Sequence, residues 1–257
     1  MCFKKYVFRS ETNLNRSISI EHKRILQKKI FLRKWYQNCY QQFLSFLPPS
    51  KHSLILVELG SGGGFLKEMS PSIITTDIQN LNGIDLNCSA LQLPFKTRSI
   101  DAFFALNAFH HFPDAKLFLQ EINRCLKPGG QLILIEPANT FFARFVYRHF
   151  HHEPFDPKGE WSFKSHDPLM DANGALPWIV FTRDRNKFRI DFPQLEITSM
   201  KAHSFIIYLL SGGFSYKSFM PAWSFSFWNK LEQLISSLGH FLGMFYTIRI
   251  KKATDRS

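Results

Sequence analysis

Apolar positions divide this chain into a helical front, an alternating centre and an aromatic-rich rear. From residue 17 to 47, Ile18, Ile25, Leu26, Ile30, Leu32, Trp35, Tyr36, Tyr40, Phe43, Leu44 and Leu47 recur at roughly helical spacing, with basic residues between them. Pro48-Pro49 stops that pattern. Leu54–Leu59 is an apolar run of strand length ending in glycines, as a buried parallel strand and its turn would be. Short strands are expected over Ile73–Thr76, Ile84–Leu86 and Ile100–Ala105. Pro113–Leu126 reads as helix, with Leu117, Phe118, Ile122 and Leu126 on one side and Lys127-Pro128-Gly129-Gly130 ending it. Gln131–Ile135 is a further buried strand.

This alternation predicts an α/β fold with a doubly wound, mostly parallel sheet. Two crossovers look short. Phe65–Met69 allows little more than one helical turn before Pro71, and Asp77–Gly83 is too short for a proper second crossover helix. Behind the centre, residues 137–194 are rich in His, Pro, Phe and Trp. Leu195–Met200 and Phe245–Ile250 read as strands, separated by the loop Ser211-Gly212-Gly213 and an amphipathic helix around Ser226–Leu238. The expected organisation is a basic N-terminal helical arm (1–51), a ligand-binding core (52–140), and a lid or substrate region carrying the last strands (141–257).

Charge sharpens this division. The net +12 is uneven: eleven Lys/Arg against two Glu give residues 1–51 a charge of +9, whereas residues 52–140 carry −2 and residues 141–257 carry +5. A slightly acidic centre argues against a uniformly basic nucleic-acid binder. The arm suits an anionic membrane surface, a phosphate-bearing substrate or RNA, or is simply a solvated helix face. Four scattered cysteines without a CxxC pair argue against a zinc site or a disulfide framework and fit a reducing cytoplasm. No apolar run suggests a signal peptide or a transmembrane helix.

The chemistry is concentrated in Val57-Glu58-Leu59-Gly60-Ser61-Gly62-Gly63-Gly64, an acid followed by GxGxG at a strand end. Glycines let the backbone turn sharply and approach a ligand, and the N–H groups that follow can hold its polar end. Phe65 replaces the third glycine of a dinucleotide fingerprint, and Glu58 would repel a pyrophosphate. A ligand bearing an ammonium and a sulfonium fits better. Asp77, ending the second strand, is placed to accept ribose hydroxyls.

Glu58–Gly64, Asp77, Leu93-Pro94-Phe95, Ser99-Ile100-Asp101, His110-His111-Phe112, Phe118-Leu119-Gln120-Glu121 and Arg124–Gly130 occur in that order. Together, over about residues 54–136, they resemble the type 11 branch of the class I S-adenosylmethionine (SAM)-dependent methyltransferases. Phe150–Pro157, Asn173–Trp178 and Leu209–Gly213 look like a bacterial subgroup signature of undefined substrate. The resemblance implies a Rossmann-like fold with SAM as cofactor. It places Glu58, Gly60, Ser61, Gly62 and Gly64 around the amino acid part and Asp77 on the ribose, with Ser89, Ala90 and Asn107 completing the pocket. Where relatives commonly place an acid at the adenine edge, this chain has Ser89; Asp85 lies nearby, one strand-end too early.

Methyl transfer from a sulfonium needs alignment more than activation, so no metal is expected. A hydroxyl acceptor would gain from a base. His110, His111, His151 and His152 are the candidates, with Glu153 and Asp156 also near; the tandem His-His-Glu lacks the i, i+4 spacing of helical zinc ligands. Phe205, Tyr208, Phe214, Tyr216, Phe219, Trp223, Phe225, Phe227 and Trp228 could lid an apolar acceptor or form core. The expected function is methyl transfer to a small-molecule, lipid or glycan acceptor by a cytoplasmic or membrane-peripheral enzyme. The alternative is a methyltransferase-fold binding protein without turnover.

Overall fold

The computed structural model describes residues 21–48, 53–151, 153–167 and 171–254. Seven strands form one sheet in the order β3-β2-β1-β4-β5-β7-β6. β1 (Leu56–Leu59), β2 (Ile74–Asp77), β3 (Leu86–Asn87), β4 (Ile100–Leu106) and β5 (Leu126–Pro137) run parallel to their neighbours in that group. β7 (Phe245–Lys252) is antiparallel to both β5 and β6 (Leu195–His203). The order reverses at β1 and β4, where the chain leaves β1 towards one side and β4 towards the other. Ligands of open α/β sheets bind at such a switch point, beyond the strands' carboxyl ends.

Both faces of the central strands are covered, and the period of two in β4 shows why the strands read as unbroken apolar runs. Phe103 and Ala105 join one core with Phe118, Leu119 and Ile122 of α3 (Ala115–Cys125). Ala102, Phe104 and Leu106 join the other, with Phe31, Leu32, Trp35, Tyr36, Cys39, Tyr40 and Phe43 of α1 (Ile30–Ser45). The front helix is therefore an integral layer of the sheet. It is broken at Lys29, between helical residues 21–28 and α1. There the Lys29 ammonium donates to the carbonyls of Gly213 and Tyr216, tying the front of the chain to its rear. Residues 17–20 of the expected helix lie outside the described residues.

The first crossover is the five-residue α2 (Phe65–Met69), and no helix links β2 to β3, in keeping with the short spacings. The Lys127–Gly130 segment behaves differently from a helix stop followed by a separate strand. Helix α3 ends at Cys125 and β5 starts at Leu126, and the pairing jumps from Ile100↔Leu126 to Ala102↔Gln131. The intervening residues bulge out of the ladder. A Cβ on Gly130 would meet the Lys127 carbonyl at 2.9 Å, so this bulge requires glycine.

The rear supplies α4 (Phe141–Phe150), α5 (Leu176–Trp178) running into a π turn (Ile179–Arg183), and α6 (Arg185–Asp191). It continues with α7 (Ile207–Ser211), α8 (Phe225–Leu234) and α9 (Gly239–Leu242). Among the described residues no helix is long and apolar enough to cross a membrane.

Candidate functional site

The carboxyl ends of β1, β2 and β4 open into a cavity of about 1060 Å³. After β1 the chain turns through Gly60 (φ +65°) and Gly62 (φ +50°). A Cβ at Gly60 would lie 2.6 Å from the Ala108 Cβ, so the loop after β4 packs directly on this glycine. Ser61 N–H donates to the Thr76 carbonyl at 2.9 Å, and Ser61 Oγ accepts from Thr76 N–H. Asp77, at the end of β2, accepts from Gly62 N–H through Oδ2 and from Gln79 N–H through Oδ1, both at 2.9 Å. The turn and the acid that ends the next strand are thus one unit. Burial raises the Asp77 carboxyl above its usual range, against the lowering effect of those N–H groups.

Glu58 is 1% exposed, yet its Oε2 has no hydrogen-bond partner among the described residues. Burial pushes its pKa up to about 8, with Asp77 adding to the rise and Ser61 opposing it. A buried orphan carboxylate is costly unless a cation meets it. Asn107 (φ +52°) likewise carries an unpartnered Oδ1. Ser89 and Ala90 line the same cavity, where Ser89 Oγ accepts from Leu91 N–H at 3.2 Å. Asp85 belongs elsewhere: its carboxylate accepts from Thr75 and from the Lys67 ammonium and does not line the cavity. Gly64 caps α2 and, unlike Glu58, Gly60, Ser61, Gly62, Asp77, Ser89, Ala90 and Asn107, does not line the cavity.

Beside this pocket stands a cluster of imidazoles and carboxylates. Glu136, at the end of β5, is fully buried; its Oε1 accepts from Ala108 and Phe109 N–H at 2.9 and 2.8 Å. Its Oε2 lies 2.6 Å from His110 Nδ1, and His110 Nε2 lies 3.2 Å from Glu153 Oε2. Burial by itself would lower the His110 pKa, but the two carboxylates raise it to about 10. Glu153 is held well below the usual carboxylate range, since its imidazole partners outweigh the effect of burial. Both ring nitrogens of His110 are thus engaged by carboxylates, which favour its protonated form. His111 Nε2 is 3.6 Å from Glu153 Oε1, and His151 Nδ1 is 3.8 Å from Glu153 Oε2. His152 lies outside the described residues. Asp156 is turned away, its Oδ1 accepting from Lys158 N–H and its side chain absent from the cavity wall.

Residues 57–134 match the family model of a type 11 methyltransferase domain. The fold around them is that of the class I methyltransferases. The centre of this chain is similar to a methyltransferase domain.

The domain's similarity to known proteins is partial. Phthiotriol/phenolphthiotriol dimycocerosates methyltransferase 1 of Mycobacterium ulcerans is 29% identical over 120 residues, which are 40% of this chain and 44% of that protein. Demethylmenaquinone methyltransferase of Staphylococcus haemolyticus is 27% identical over 133 residues, 49% of this chain and 53% of that protein. The chain spans about half the length of these relatives. Among solved structures, a SAM-dependent methyltransferase of Thermotoga maritima, described as a possible histamine N-methyltransferase, superposes with a TM-score of 0.52. It is 19% identical, with 90% of this chain and 98% of that one covered.

The matched residues 57–134 form only one wall of the cavity. The aromatic rear divides between roles. Tyr208, Phe214, Tyr216 and Phe219 line the cavity together with Tyr36, Tyr40, Phe145 and Phe150, whereas Phe205 and Phe225 are buried. Trp223 and Phe227 are exposed. Sequence reasoning missed Glu136 and the helix tyrosines Tyr36 and Tyr40. A single acid ending a strand, and helix aromatics that also read as core, carry no local mark of a site.

Proposed function

We propose that this chain is a SAM-dependent methyltransferase acting on an apolar acceptor, of lipid or quinone-like character. The observation that carries the cofactor is Glu58: a buried carboxylate with an unpartnered oxygen, just before Gly60-Ser61-Gly62, in the cavity wall. An ammonium group satisfies it, and Asp77 stands at the adjoining strand end for the ribose. Ser89, Ala90 and Asn107 line the same pocket. When bound, SAM supplies an electrophilic methyl group on a sulfonium. The chain's part is to hold donor and acceptor in line and to exclude water.

Support for an apolar acceptor comes from the other wall. Phe142, Phe145, Val146 and Phe150 of α4 line the cavity. On the same helix Phe141 is 81% exposed, and Phe145 and Phe150 are more than half exposed. Arg144 and Arg148 lie between them, as on an interfacial helix at an anionic membrane surface. Two relatives are named for methylating dimycocerosates and demethylmenaquinone, which points the same way.

Calorimetric titration with SAM and S-adenosylhomocysteine tests the cofactor, and incubation with radiolabelled SAM and bacterial lipid extract tests the acceptor. Micromolar binding with label in the organic phase is the expected result. No binding by folded protein would sink the reading. Ser89 favours a second reading, a binding protein without turnover, because its hydroxyl serves its own turn. Tight SAM binding with no labelled product from lipid, quinone or glycan extracts would select it.

A further inference from the structure

We propose that His110, His111 and Glu153 form a binding site for a divalent first-row transition-metal ion, zinc foremost, in the cavity wall with His151 beside them. One ligand atom from each of the three residues falls within 4.8 Å of the others, although Glu153 is more than 40 residues away in sequence. The spacing suits a metal. Ligands about 2.05 Å from a tetrahedral ion lie about 3.3 Å apart. Here His110 Nε2 is 3.2 Å from Glu153 Oε2 and His111 Nε2 is 3.6 Å from Glu153 Oε1, one imidazole facing each oxygen of the carboxylate, with one ligand atom from each residue within 4.8 Å of the others.

A second, independent feature is the support behind the rings. Metal-bound histidines are held by a hydrogen bond from the other ring nitrogen to a carboxylate or a carbonyl. His110 Nδ1 meets Glu136 Oε2 at 2.6 Å, and His111 Nδ1 meets the Asp171 carbonyl at 3.3 Å. Both rings thereby turn Nε2 towards the same carboxylate. Glu136 is locked by two backbone N–H groups, so the support is rigid. Two carboxylates, Glu136 and Glu153, flank His110, an arrangement suited to a cation at this spot.

The ligand set is of the His₂Glu type that leaves a fourth position open to substrate. All three residues line the cavity that Glu58 and Asp77 also line. This gives the site a role that rests on the methyltransferase reading. An acceptor hydroxyl, phenol or enol at the open position would lose its proton to solvent. Its oxygen electron pair would then form the O–CH₃ bond as the methyl–sulfonium bond breaks, releasing a neutral thioether. The ion supplies the activation that a doubly paired His110 cannot.

The test uses the whole chain, stripped with chelator and titrated with ZnCl₂ by calorimetry and with Co²⁺ by visible absorption. SAM binding is measured on each sample. One equivalent of either ion should bind, the Co²⁺ form showing intense low-coordinate d–d bands. His111→Ala and Glu153→Gln should each weaken Zn²⁺ binding by about 100-fold or more, and Glu136→Gln by about 10–100-fold. His149→Gln and His240→Gln should leave it unchanged. Absence of Zn²⁺ and Co²⁺ binding in protein that still binds SAM would overturn the proposal. So would ion binding untouched by both His111→Ala and Glu153→Gln. Stoichiometric, cluster-dependent ion binding without SAM binding would keep the metal site and discard the methyltransferase reading.

Discussion

The Gly62 N–H donates to Asp77 Oδ2 across 2.9 Å, so the turn after β1 is held by the acid that ends β2. Removing the carboxylate would lose both the proposed ribose contact and the hold on the glycine loop. Asp77→Ala should weaken SAM binding by about 100-fold, as expected for losing two hydrogen bonds to a charged group. Calorimetry alongside a thermal melt checks this, and Asp77→Asn should recover part of the affinity.

Gly60→Ala should be worse for folding than its size suggests. Its backbone is left-handed at φ +65°, and its Cβ would sit 2.6 Å from that of Ala108. Strain and overpacking together should cost about 2–4 kcal/mol in urea denaturation. Gly62→Ala meets no atom within 4 Å, so it carries only the backbone strain and should cost less.

Glu58 should make SAM binding pH-dependent. Its folded pKa is raised to about 8, so much of the ligand-free protein holds it neutral at pH 7. An ammonium ligand requires the ionised form, so affinity should rise between pH 6 and 9 with proton release on binding. Glu58→Gln should flatten that profile. The stability sign follows from the same shift. The contribution of neutral Glu58 is fully present below its unfolded pKa and is lost as pH rises through about 8. The Glu58→Gln variant should therefore gain melting temperature relative to wild type at pH 9 and not at pH 4.

The His110–Glu136 pair should show the cost of a broken buried ion pair. Glu136→Ala strands an imidazolium and two backbone N–H groups, and should cost about 3–5 kcal/mol at pH 7. In the metal-free protein the His110 pKa is raised to about 10, so its stabilisation is complete below its unfolded pKa and is lost as pH rises through about 10. Glu153, shifted the other way, contributes above its unfolded pKa and loses that contribution in acid. The wild-type melting temperature should fall on both sides of neutrality, and His110→Gln should flatten the alkaline limb.

Exposed Phe141, Phe145 and Phe150 give α4 an apolar face beside basic residues. The triple serine variant should bind anionic vesicles at least about 10-fold more weakly in a sedimentation assay, since each inserted Phe contributes on the order of 1.5–3 kcal/mol. SAM affinity should be unaffected. Equal vesicle binding by the triple variant would remove the membrane part of the proposed function.

The central strands, α3 and the glycine turn were legible in the sequence because their signals are local. β1, β2, β4 and α3 fall within about two residues of their expected bounds, since apolar period and glycine placement report backbone conformation directly. Glu58, Gly60, Gly62 and Asp77 were legible for the same reason: each belongs to a strand end whose geometry the neighbouring residues dictate. The bulge at Lys127–Gly130 was not, because a proline-glycine stop looks the same whether the ladder resumes across it or begins after it.

Long-range placement was the work of the tertiary structure. Spacing along the chain set His110-His111 and His151-His152-Glu153 apart as two motifs. Packing places Glu153 against His110 and His111, and only the β4–β5 pairing brings Glu136 behind His110. These contacts engage both ring nitrogens of one candidate base, which no local motif shows. The α1 helix was likewise readable as amphipathic, but not as the layer that covers the β4 face, since periodicity says which side of a helix is apolar and not what it meets. The sequence by itself determined the fold class and marked the strand-end residues of the proposed cofactor site, where backbone geometry and residue type coincide. Only the folded chain decided the partners of the histidines and the shape of the aromatic cavity wall, because both depend on groups far apart in sequence sharing one poorly solvated space.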